Sequence, residues 1–195
     1  PLIFTDDGPI LLDNLPPIGN IATAIGNDGS KLVLHPGVTP DGTAFQLLAT
    51  RQSPDGSWHA PIVITNAPAI ITTALVSLPG GGYQVAWTEF AEADLLNPYP
   101  GSRIMTRHLD LNATPQGSSE EITTLPNVAA HLALHPLGAD KLGLLAFTTS
   151  GGAASSDFSI LGFLHENSIW GPSQSLRPEQ NITAFDTAHD DSKIA

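Results

Sequence analysis

Apolar residues gather in short runs along this chain, each bounded by a polar or glycine-containing turn. Lys31-Leu32-Val33-Leu34, Tyr83-Gln84-Val85-Ala86-Trp87 and Lys141-Leu142-Gly143-Leu144-Leu145 are three such runs. Their preceding turns are Asn27-Asp28-Gly29-Ser30, Pro79-Gly80-Gly81-Gly82 and Leu137-Gly138-Ala139-Asp140, each preceded in turn by another apolar run. A tight polar turn between two strand-length runs predicts a β-hairpin. A third, longer strand is expected at Thr43 to Gln52, Ser102 to Leu111 and Phe158 to His165. Second turns then fall at Ser53-Pro54-Asp55-Gly56, Asn112-Ala113-Thr114-Pro115 and Glu166-Asn167-Ser168. Fourth strands follow at Pro61 to Thr65, Glu120 to Thr124 and Gln174 to Arg177.

The layout repeats, and a repeat of four short strands with a period of ~40–50 residues is the pattern of β-propeller blades. The predicted fold is therefore all-β: an array of about four blades of four antiparallel strands. Blades are expected at 17–66, 67–126 and 127–178, with half-blades at 1–16 and 179–195. Asn181-Ile182-Thr183-Ala184 echoes Asn20-Ile21-Ala22-Thr23, which places a first strand at the end of the chain. Leu2 to Gly8 reads as a third strand and turn, and Ile10-Leu11-Leu12 as a fourth. The terminal half-blades either close a four-bladed ring or belong to a larger propeller completed by a protein partner or a second copy. The second is favoured, because four-bladed rings are uncommon. Leu34-His35-Pro36 and Leu134-His135-Pro136 also match. If that match were structural, the first unit would shift by one strand. A pair of β-sandwich domains is the rival architecture; the shared two-turn layout favours blades. Only Phe90 to Leu96, in the longest connection, has helical composition.

Composition narrows the functional classes. A formal charge of -12, with seven Lys and Arg and no basic run, argues against a nucleic-acid partner. No apolar stretch approaches the roughly 18 residues of a membrane-spanning helix. The absence of Cys removes disulfides, zinc-thiolate sites and Cys nucleophiles.

Strand pairs such as Gly82 to Thr88 followed by Arg103 to Asp110 resemble repeats of secreted bacterial β-propeller proteins. The turn Ser53-Pro54-Asp55-Gly56-Ser57-Trp58 is similar to the Asp-box hairpin of sialidase-like propellers, although its spacing is shorter and the other units lack the Ser and Asp. The resemblance implies a propeller fold and an extracellular, periplasmic or cell-envelope location. It carries no catalytic residue across.

Candidate chemistry is sparse. Trp58 and Trp170 occupy equivalent turns, and with Trp87 they are the candidate ligand-binding residues, as sugar-stacking platforms; packing between blades would use a repeated Trp equally well. Glu89, Glu92, Asp94 and Asp110 flank the long connection and are the available carboxylates for a glycosidase, which needs a pair roughly 5–10 Å apart. No catalytic residue is assigned. His131 and His135 share a strand but stand ~13 Å apart along it, too far to share a metal unaided. Asp186, His189, Asp190 and Asp191, and likewise Asp6 and Asp7, offer oxygen ligands for Ca²⁺ without the spacing of an EF-hand. No other cofactor is expected. The sequence points to a non-catalytic scaffold or binding module, with a propeller glycosidase or a lectin as the alternatives.

Overall fold

The computed structural model describes residues 2–5, 8–11, 20–67, 69–90, 101–149 and 157–180. The described residues form fifteen strands arranged in antiparallel sheets and contain no helix. A hairpin pairs β1 (Leu2–Thr5) with β2 (Gly8–Leu11). The first sheet is a meander of β3 (Ala22–Ile25), β4 (Lys31–Val38), β5 (Phe45–Gln52) and β6 (Ile62–Ala67). The second repeats that order with β7 (Ile70–Ser77), β8 (Tyr83–Phe90), β9 (Ser102–Leu109) and β10 (Pro115–Leu125). The third contains β11 (Val128–Pro136), β12 (Leu142–Thr149) and β13 (Asp157–Glu166), with both β14 (Ile169–Trp170) and β15 (Gln174–Gln180) pairing with β13. Gly171-Pro172-Ser173 interrupts that last edge, where Pro172 has no N–H to donate to a ladder.

The hairpin turns share one chemistry. Gly26 N donates to Ser30 O, Leu78 N to Gly82 O, Ser53 N to Ser57 O and Asp110 N to Thr114 O. Each turn places a residue at positive φ: Gly29 (82°), Gly81 (95°, followed by Gly82 at 79°), Gly56 (90°) and Ala113 (64°). Gly adopts this conformation without steric cost, which is why Asp-Gly recurs at 28–29 and 55–56. A carboxylate ties three of these turns together. Asp28 Oδ1 accepts from Ser30 N, Asp55 Oδ1 from Ser57 N, and Asp110 Oδ1 from both Asn112 N and Thr114 N. A further turn at 39–42, between β4 and β5, uses Asp41 in the same way toward Thr43 N and was not evident from hydrophobic patterning.

Two cores hold the sheets face to face. On β8, Tyr83, Val85 and Trp87 point toward the first sheet and pack with Leu32, Leu34, Leu47, Ala49 and Ile64. The alternate residue Ala86 points the other way, with Ala74 and Ile104, against Leu134, Leu144, Ala146 and Phe163 of the third sheet. This period-two alternation makes the second sheet the middle layer of a stack. Full burial of one large apolar side chain such as Leu32 stabilises by about 1.5–3 kcal/mol, so the stack rests mainly on these two seams. Asn20 adds a polar strap between the first two sheets, accepting from Thr73 N and donating to Thr73 O.

Leu34-His35-Pro36 lies in the second strand of its sheet and Leu134-His135-Pro136 in the first strand of its own. The tripeptide match therefore does not mark equivalent positions, and the first unit is not shifted. β10 begins at Pro115, several residues before the expected fourth strand; register shifts at Gln116/Glu120 and Glu121/Thr123 absorb Gly117, whose φ is 66°. The half-blade expected over 179–195 falls, beyond Gln180, outside the described residues, as do Glu92, Asp94 and the helical expectation over 91–96.

Candidate binding groove between the second and third sheets

Strand register aligns the units residue by residue. Leu32 faces Arg51 across β4–β5, and His59 N donates to Arg51 O beyond it. The equivalent row of the second sheet is Gln84, His108 and Gln116, with Gln84 opposite His108 and His108 opposite Gln116. The row that faces the preceding sheet is Tyr83–Leu109–Pro115 in the second sheet and Leu142–His165–Trp170 in the third.

The two seams consequently differ at the same level. Between the first and second sheets the space is filled: Leu32, Tyr83 and Leu109 are each 0% exposed. Arg51 closes that end by an ion pair with Asp28 at 3.1 Å. Between the second and third sheets, Gln84 stands where Leu32 does and His165 where Leu109 does, and a groove of about 530 Å³ remains. Gln84, His108, Gln116 and Glu120 line one wall; Leu142, His165 and Trp170 line the other.

The groove walls are organised by hydrogen bonds. Gln84 Nε2 donates to Thr106 Oγ1 at 2.6 Å, and Thr106 passes its own proton to Val85 O at 2.8 Å. His165 and Trp170 lie directly opposite each other in the β13–β14 pair, with ring centroids 5.0 Å apart. Burial lowers the His165 imidazole pKa below its ordinary value, and the Glu120 carboxylate across the groove partly opposes that shift. The basic groups at the rim are already engaged: Arg107 donates to Ile64 O and Gly117 O, and Lys141 pairs with Glu166 at 2.7 Å. His108 and Glu120 make no hydrogen bond or ion pair among the described residues.

The three tryptophans have three different settings. Trp87 is 0% exposed in the first seam, with Nε1 donating to Glu89 Oε2 at 3.2 Å. It is a core residue, so the expectation that it contacts a ligand is corrected: no ligand can reach it in the folded state. Trp58 is half-buried, bridges Gln52, and keeps a buried Nε1 without a hydrogen-bond partner among the described residues. Trp170 is half-buried and is the one that reaches the groove.

Among the described residues, the carboxylate candidates Glu89 and Asp110 do not form a pair. Glu89 is buried and accepts from Arg103 at 2.6 Å; with Trp87 it braces the end of β8. Asp110 anchors its turn. Glu89 lies opposite Arg103, and Asp110 is seven residues further along, roughly 23 Å at strand rise. His131 is exposed with its ring 6.0 Å from Phe147, whereas His135 is buried. Among the described residues no three His, Cys, Asp or Glu side chains converge as metal ligands. Asp6, Asp7, Asp186, His189, Asp190 and Asp191, the Ca²⁺ candidates, lie outside the described residues. No helix among the described residues is long and apolar enough to cross a membrane.

No family model and no protein of curated function matches this chain. Solved structures do. An endo-arabinase from Bacteroides thetaiotaomicron VPI-5482 matches with a TM-score of 0.52 at 13% identity, over 77% of this chain and 59% of that one. A protein of unknown function from Dyadobacter fermentans DSM 18053 gives 0.55 at 13% identity, over 81% and 53%. A thermostable family-43 glycoside hydrolase gives 0.52 at 14%, over 78% and 52%. Likeness at this identity shows the fold: the chain is an all-β, propeller-like array of antiparallel sheets. The matches take in between about half and three-fifths of those proteins' lengths.

Proposed function

We propose that this chain is a non-catalytic binding module of a larger extracellular or cell-envelope propeller protein, with the remaining blades supplied by a protein partner or a second copy. One observation carries the binding reading. Where the first seam closes on Leu32, Tyr83 and Leu109, the second stays open behind Gln84, His108 and Gln116. An interface left open and polar where its neighbour is packed gives up stability, and such a loss is the usual cost of a site. Filling the groove tests this. The double variant Gln84→Leu, His108→Leu copies the apolar choice of Leu32 and should raise the melting temperature by a few degrees, for a gain of about 1 kcal/mol. A thermal-shift screen of sugars, peptides and nucleotides should then contain a ligand that protects the native chain and not the filled variant. A screen with no such ligand contradicts the binding reading.

A second reading, a carbohydrate hydrolase, is favoured by the names of two structural neighbours, the endo-arabinase and the family-43 glycoside hydrolase. It requires an acid–base pair of carboxylates, and Glu89 and Asp110 are committed to structural contacts. Release of reducing sugar from polysaccharide by the purified chain would favour this reading over the first.

A further inference from the structure

We infer that the groove between the second and third sheets binds a neutral oligosaccharide chain, stacked on Trp170 and hydrogen-bonded by Gln84, His108, Gln116 and Glu120. The inference rests on the binding-module reading above and names its ligand class.

Charge disfavours the ionic ligands first. Arg107 keeps its charge but points its two terminal nitrogens at backbone carbonyls, and Lys141 is paired with Glu166, so among the described residues both basic groups of the rim are already engaged. Glu120 and Asp140 stand at the same rim, and the chain carries a formal charge of -12. The net negative charge thus disfavours phosphorylated, sulfated and acidic ligands. An extended peptide would seek an open strand edge with alternating side-chain pockets. The groove lies between two sheet faces instead, with Trp170 and Leu142 as its large apolar lining on the third-sheet wall.

A sugar ring combines an apolar C–H face with a belt of hydroxyls that both donate and accept. The two walls match those halves. Trp170 offers an aromatic surface, held at a set angle by His165. Across from it stands a row at one level: Gln84, with one amide N–H left beside its bond to Thr106, the His108 imidazole, and Gln116, whose amide nitrogen is held by Asp110 and Thr114 and whose carbonyl oxygen is left to accept. Glu120 adds a carboxylate acceptor that makes no hydrogen bond or ion pair among the described residues, the type of group that draws a bidentate pair of hydroxyls. The volume, about 530 Å³, lies within the ~300–1,000 Å³ typical of small-ligand sites. Because His108, Gln116 and Glu120 are exposed and Gln84 is half-buried, the groove suits the interior of a chain better than an enclosed single ring.

Isothermal titration tests the inference, using linear neutral pentasaccharides of arabinose, xylose, glucose and mannose, with a galacturonic acid pentasaccharide as charged control. At least one neutral oligomer should bind with a Kd between about 10 μM and 1 mM. Trp170→Ala should weaken it at least about tenfold, and Trp170→Phe should retain part of the affinity, which separates stacking from misfolding. The charged control should not bind. Three outcomes overturn the proposal: no neutral oligomer binds, affinity is unchanged in Trp170→Ala, or the groove-filled Gln84→Leu, His108→Leu variant binds as well as the native chain. If a peptide or charged ligand is instead lost on filling, the binding module stands and the sugar class falls. If nothing binds in any form, both fall.

Discussion

Trp170 lies directly across the β13–β14 pair from His165, with ring centroids 5.0 Å apart and planes tilted by 52°. The pair gives a two-residue strand an anchor that its short ladder cannot supply, and it fixes the face that Trp170 turns to the groove. His165→Ala should cost about 1 kcal/mol of stability by loss of the ring contact. It should also weaken any groove ligand severalfold without abolishing binding. Urea unfolding and titration of the same variant check both.

The turn that brings these rings together carries visible strain. Asn167 and Ser168 have φ of 53° and 64°, so both central residues of this two-residue hairpin are left-handed. Asn tolerates that conformation, Ser less so, and Asn-Gly is the favoured pair for it. Ser168→Gly should therefore raise stability by about 0.5–1 kcal/mol. Chemical denaturation should show a higher midpoint with an unchanged slope.

In the closed seam, Ser30 Oγ donates its one proton to Asp28 Oδ1 at 2.6 Å. The Tyr83 hydroxyl, 2.7 Å away, must then donate to Ser30. Tyr83→Phe leaves the Ser30 proton bonded to Asp28 and removes only the hydrogen bond that Tyr83 donates, so the loss should stay near 1 kcal/mol. Tyr83→Leu removes ring packing as well and should cost about 3 kcal/mol or more. Comparing the two midpoints separates the hydrogen bond from the core.

His35 sets the first pH dependence. Burial lowers its imidazole pKa, with the Pro36 carbonyl opposing, while Thr50 Oγ1 lies 3.1 Å from Nε2. The folded state thus binds the proton less readily than the unfolded chain, whose His titrates near ~6.5. The His35 contribution is therefore present above that pH and is lost as pH falls below it. His165 acts with the same sign. Asp28, Asp41 and Asp55 are lowered by hydrogen bonds from their own turns, so their contribution is lost only as pH falls below the usual carboxylate range, ~3.9. Stability should drop from pH 7 to pH 5.5, and His35→Gln should flatten that slope. An equal slope in the variant would assign the drop to other groups.

Strand order and turns were legible in the chain because both depend on local rules. Asn27-Asp28-Gly29 and Pro54-Asp55-Gly56 announce their geometry, and the apolar runs beside them supply period-two faces. Trp58 and Trp170 were recognisable as equivalent positions for the same reason. What hydrophobic pattern could not show is which side of each Trp the neighbouring sheet would fill. Trp87 looked like its two companions and lies in the core, because its strand parity turns it to the first seam. The groove walls were missed because Gln84 and His108 are unremarkable alone. Their meaning lies in standing where Leu32 and Arg51 stand one unit earlier. Aligning the units by strand register, rather than by turn chemistry, would have exposed that exchange.

The central claim is that the second seam is a site and the first is core. The indole N–H signals of the three tryptophans, assigned through Trp→Phe variants, report on it in one NMR titration with the neutral oligosaccharide panel. The account predicts that the Trp170 signal shifts with ligand, while those of Trp87 and Trp58 stay in place. A titration in which Trp170 never moves, or in which Trp58 moves instead, would contradict it.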